Sequence, residues 1–301
     1  MRRIPLIKKL ITSKATFPVA LVISICIWWL FPSQILCSIG YLIGLGLMWF
    51  MNQRFVILQG KITSFLGLFA LCIASTPLLH QSPDGLYILI SSMVCQSILF
   101  LGYGHPDRVQ ILQVCGLFIG ALAIWNPVVL YLLPLIWLNA QHCKVLTWKS
   151  WVSSIIGTMI PTLFWWAWAF NQQKAGFISH HYSTLSDWAW HTSHPVAYWA
   201  TCGLLLIMLL MGISSLAFNK QGVRTQTMHY LYSVTEAGGL GLFLMLVIPE
   251  KWLLFLPLTI WGVTWGTIRF LRRGKSWLHV ALLLILVATM IGIATLHYFE
   301  L

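Results

Sequence analysis

Four histidines and one aspartate gather in a single polar stretch, 171–195, which reads NQQKAGFISHHYSTLSDWAWHTSHP. Imidazole is the commonest metal ligand. His191 and His194, spaced i and i+3, share a helical face. A third ligand from His180, His181 or Asp187 would complete a site for zinc or a similar metal. The H-x-x-H pattern lacks the glutamate of the zinc-protease helix. The competing expectation is a loop lying partly in a membrane interface, where histidine, tyrosine and tryptophan are at ease. No other cofactor is expected.

Glu236 is the second residue able to do chemistry. The apolar run from Gly238 to Ile248 is too short to cross a bilayer, so a spanning helix must recruit Tyr230 through Ala237. Glu236 then sits inside the helix, and a carboxylate in hydrocarbon is costly unless protonated, hydrated or paired. Such an acid is a candidate for ion or proton coupling. Gly238, Gly239 and Gly241 follow it and would let a neighbouring helix or a ligand approach the backbone. The alternative is a helix that starts later and leaves Glu236 among headgroups.

The elements that hold these residues follow from composition. The 301 residues are 59% apolar and 8% charged, against about 25% charged in soluble domains. The expectation is an all-α, polytopic transmembrane helix bundle. Eleven apolar stretches qualify as spans: 15–31, 35–51, 62–79, 86–103, 110–125, 127–141, 151–170, 196–218, 230–248, 252–268 and 277–298. Turn signals at Pro32-Ser33, Ser82-Pro83-Asp84-Gly85, Gly104-His105-Pro106-Asp107 and Asn126-Pro127 separate them, as does the charged break Arg272-Arg273-Gly274-Lys275. The hairpin 110–141 has short arms, and Pro134 interrupts the second. It either crosses twice or re-enters, leaving nine spans. Residues 1–14 read as a basic interfacial segment, with Arg2, Arg3, Lys8 and Lys9, and residues 15–301 as one transmembrane domain.

The net charge of +12 does not point to nucleic acid, because the cations sort by loop. With the N-terminus inside and the C-terminus outside, Arg2, Arg3, Lys8, Lys9, Lys14, Arg54, Lys61, Arg108, Lys144, Lys149, Lys220, Arg224, Arg269, Arg272, Arg273 and Lys275 fall on the cytoplasmic side. Only Lys174 and Lys251 fall outside. Tryptophans cluster at the ends of the expected spans, as headgroup anchors do.

The remaining polar and small residues read as packing devices. Gln96, Gln110, Gln113, Asn126 and Asn139 are expected to hydrogen-bond between helices. Gly40-x3-Gly44, Gly116-x3-Gly120 and Gly262-x3-Gly266 allow close helix contact, while Pro77, Pro134, Pro161 and Pro257 are expected to kink their helices. The seven cysteines contain no C-x-x-C pair and read as small buried hydrophobes without disulfides.

There is no P-loop, G-x-S-x-G or H-E-x-x-H motif. From about residue 55 to 170 the chain resembles an uncharacterised family of polytopic bacterial inner-membrane proteins. The resemblance is carried by Asn126-Pro127-Val128-Val129-Leu130-Tyr131-Leu132-Leu133-Pro134, Trp148-Lys149-Ser150-Trp151 and Ile156-Gly157-Thr158-Met159-Ile160-Pro161. It implies a bacterial inner membrane and no particular chemistry. The expected function is a non-enzymatic carrier or envelope-assembly component. The alternatives are a transferase-like membrane enzyme acting on a lipid or lipid-linked substrate at the outer face, and a scaffold docking a partner membrane subunit. The expected surroundings are the lipid bilayer.

Overall fold

Every apolar stretch of the sequence is helical where the structure describes it. The structure is a computed structural model and describes residues 16–30, 35–58, 62–80, 83–172, 195–218, 224–273 and 277–300. Its α-helices are α1 (Thr16–Leu30), α2 (Ile35–Phe55), α3 (Thr63–Ala74), α4 (Asp84–Leu101), α5 (Gln110–Ala123), α6 (Leu132–His142), α7 (Trp148–Asn171), α8 (Val196–Phe218), α9 (Thr225–Val247), α10 (Trp252–Arg273) and α11 (Trp277–Glu300). Among the described residues there is no β-strand. Among the described residues, five helical stretches are long and apolar enough to cross a membrane: Asp84–Leu101, Trp148–Asn171, Val196–Ala217, Thr225–Val247 and Pro249–Arg272.

Local chemistry sets the helix boundaries. Before α7, the Thr147 Oγ1 accepts from the Ser150 N–H at 3.2 Å, and the Thr147 N–H donates to Ser150 Oγ at 2.7 Å. This reciprocal cap satisfies two amide donors at the helix start, so α7 begins three residues before the expected 151. Asn126 is extended, and its Oδ1 accepts from the Val128 N–H at 3.1 Å. That cap starts a 3-10 turn, Pro127–Tyr131, ahead of α6. Pro134 falls in the first turn of α6, where the missing N–H has no helical partner to lose. Pro77 opens a second 3-10 turn, Pro77–His80. Only Pro161 and Pro257 lie within helix interiors, in α7 and α10.

Chain packing divides the molecule into two compact units, one of Met1–Leu86 with His191–Leu301 and one of Tyr87–Trp190. The first is organised on α10. Phe255, Leu256, Leu258, Trp261, Val263 and Trp265 are fully buried there, and Trp265 packs on Phe65 of α3 with ring centroids 4.0 Å apart. The α10 hydroxyls are absorbed by their own helix: Thr259 and Thr267 each donate to the carbonyl four residues back, at 2.9 Å.

Glycines set how closely the helices approach. A Cβ on Gly238 of α9 would lie 2.7 Å from the Val263 nitrogen of α10, and one on Gly262 would strike the Gly238 backbone. One turn further along the same face of α10, a Cβ on Gly266 would lie 2.5 Å from the Cα of Gly212 in α8. In the second unit, Gly116 and Gly120 of α5 meet the carbonyls of Ser154 and Thr158 in α7, and Gly157 meets that of Gln113. The Gly116-x3-Gly120 and Gly262-x3-Gly266 patterns thus mark backbone-close crossings.

Candidate functional site

Glu236 is the twelfth residue of α9. At 1.5 Å per residue it stands about 16 Å from the helix start. The helix begins at Thr225, five residues before the expected span 230–248, and no late start leaves the acid at a helix end. The sequence hides this extension because its first turns, Thr225-Gln226-Thr227, are polar. Gln226 Nε2 donates to the Tyr230 hydroxyl four residues on, and the Tyr230 ring meets Phe55 edge-on at 5.7 Å.

The 3.6-residue period separates the two faces of α9. Val234, Gly238, Gly241 and Met245 form the face against α10, where the Thr259 hydroxyl donates to Met245 Sδ at 3.4 Å. Glu236 is two residues on from Val234 and so lies across the helix from that crossing. It shares a polar stripe with His229, Tyr232 and Ser233. The Tyr232 hydroxyl donates to the Leu216 carbonyl of α8 at 3.5 Å, so the stripe runs beside α8. Glu236 is half-buried with its Oε2 fully covered, and His229 is half-buried with Nδ1 covered. Ser233 is fully buried, and its hydroxyl has no hydrogen-bond partner among the described residues. That is unusual here, because the buried threonines of α9 and α10 bond back to their own helices.

Acid, hydroxyl and imidazole thus occupy successive turns of one helix face. His229 and Glu236 are seven residues apart, about 10 Å along the axis. This spacing is too long for direct proton transfer but short enough to bridge with a hydroxyl and water.

One of the cations assigned to the cytoplasmic side is buried. Arg269, near the end of α10, is only 6% exposed, and its Nη1 lies 3.1 Å from Met228 Sδ on α9. Its burial is visible only in three dimensions, because in sequence it adjoins the basic break at Arg272.

The other expected site residues divide clearly. His180, His181, Asp187, His191 and His194 lie outside the described residues. Among the described residues, no group of three His, Cys, Asp or Glu side chains converges as a metal site. Of the amides expected to join helices, Asn126 instead caps the 3-10 turn. Gln96 of α4 and Asn139 of α6 are 0% exposed, and none of their amide atoms has a hydrogen-bond partner among the described residues. Against these observations, no family model matches the chain, and no curated protein or solved structure does so either.

Proposed function

We propose that the chain is a multi-pass membrane protein of carrier type, with Glu236 as the ion- or proton-coupling residue. The observation that carries this reading is the position of that carboxylate, midway along a helix long and apolar enough to cross a membrane and on one stripe with Ser233 and His229. An acid at that depth is costly unless it is protonated, hydrated or paired. The glycine crossing on the opposite face of α9 supports the same reading. It holds α9 closely against α10 on the side of the helix away from Glu236.

Membrane residence is supported by the outward-facing apolar side chains. Leu163, Phe164, Trp168 and Phe170 on α7 are 54–75% exposed, a surface suited to lipid rather than water. The sorting of cations supports an orientation with the N-terminus in the cytoplasm. Whether the α5–α6 hairpin crosses twice or turns back, every other turn keeps its side. The resemblance of residues 55–170 supports the bacterial inner membrane as the location.

The test needs no knowledge of the cargo. Dicyclohexylcarbodiimide attacks protonated carboxyls in apolar surroundings. It is expected to modify Glu236 in membranes, more slowly as pH rises, and to leave the Glu236→Gln variant unmodified. Absence of modification at Glu236, or an unchanged transport and growth phenotype in Glu236→Gln, would contradict the proposal.

A further inference from the structure

The second unit holds a pair of thiols that the coupling stripe does not involve. Cys95 on α4 and Cys115 on α5 are both fully buried, and each thiol donates to the backbone carbonyl of the other residue. The contact is reciprocal: Cys115 Sγ lies 3.7 Å from the Cys95 carbonyl, and Cys95 Sγ lies 4.0 Å from that of Cys115. The α4–α5 turn imposes this pairing, since Gly102 meets Ile111 across it and brings position 95 opposite position 115. Other cysteines have different neighbours; Cys72, for example, points its thiol at Met290 Sδ, 3.9 Å away.

We propose that Cys95 and Cys115 form a dithiol site for a trivalent arsenical carrying two exchangeable bonds. The surroundings favour a neutral product, because Asp107, Arg108, Lys144 and Lys149 of this unit are all exposed. Each thiol lies against the other residue's backbone, a close pairing that suits the bent S–As–S angle; a linear two-thiolate metal would need the sulfurs wider apart. The reaction balances without an oxidant. An arsine oxide and two thiols give a cyclic dithioarsenite: two S–H bonds break, two As–S bonds form, and the oxide oxygen leaves as water. Cys143 lies near Cys115, and burial, with the Cys115 thiol close by, pushes it up to about 12. It does not complete a three-ligand group among the described residues, so a mono-organic arsenical fits better than one needing three thiolates.

The probe is phenylarsine oxide added to the folded full-length protein. The expected result is one adduct per chain by intact mass, removed by 2,3-dimercaptopropanol but not by a monothiol. After unfolding, maleimide is expected to miss Cys95 and Cys115 alone, a reading on wild-type protein that does not depend on any variant folding. Cys95→Ser and Cys115→Ser are expected to lose the adduct, and Cys143→Ser to keep it. An absent adduct, protection of other cysteines, or a disulfide already joining the pair would overturn the proposal.

Discussion

Gln96 and Asn139 show what a single residue costs when its partners are missing. A buried amide without a hydrogen bond forfeits about 1–3 kcal/mol, whereas an apolar side chain of similar shape at the same place forfeits little. Gln96→Met is therefore expected to raise thermal stability in detergent, by an amount equivalent to about 1–3 kcal/mol. An unchanged or lowered unfolding temperature would show that the amide has a partner, such as a buried water. The sequence identifies these amides as polar residues inside apolar stretches, but their satisfaction depends on what faces them. Glu236 was more legible, because the run from Gly238 to Ile248 is too short to span and forces the helix to extend past the acid. Its stripe-mate Ser233 gave no signal, since serines in helices ordinarily bond back to their own backbone.

At the scale of elements, the α9–α10 crossing is the joint on which the helix carrying Glu236 is mounted. Gly262→Ala would place a methyl group on the Gly238 backbone, which cannot yield as a side chain can. The expected cost is about 1–3 kcal/mol of stability, read as a lowered unfolding temperature. Gly46→Ala in α2 is the control. A Cβ there meets nothing within 4 Å, and alanine should be neutral or stabilising by up to about 1 kcal/mol. Equal losses in the two variants would mean that the crossing does not hold α9 in place. Helix positions were legible from apolar runs and turn residues, and the small-residue spacing at Gly262 and Gly266 announced a contact. The partners Gly238 and Gly212 were not legible, because pairing between distant helices leaves no mark on local spacing. Boundaries were missed where polar residues carried the helix onward, as at Thr225, or where a Thr147–Ser150 cap began it early.

For the whole molecule, the low charged content is the ground for the proposed membrane residence, and the fall of sixteen of the eighteen cations on one side of the expected spans is the ground for the proposed orientation. Of the two borders between the compact units, the one at 86/87 left no trace in the sequence, because it falls within the continuous helix α4, whereas the one at 190/191 falls in the polar stretch 171–195. The central claim is that these helices cross a bilayer with their basic turns on its cytoplasmic face. Topology reporters inserted after Lys149 and after Arg272, with a third beside Lys251, test it most directly. The first two are expected to report the cytoplasm and the third the opposite side. Reporters after Lys149 and Arg272 that appear on opposite faces would contradict both the order of crossings and the placement of Glu236 within the membrane.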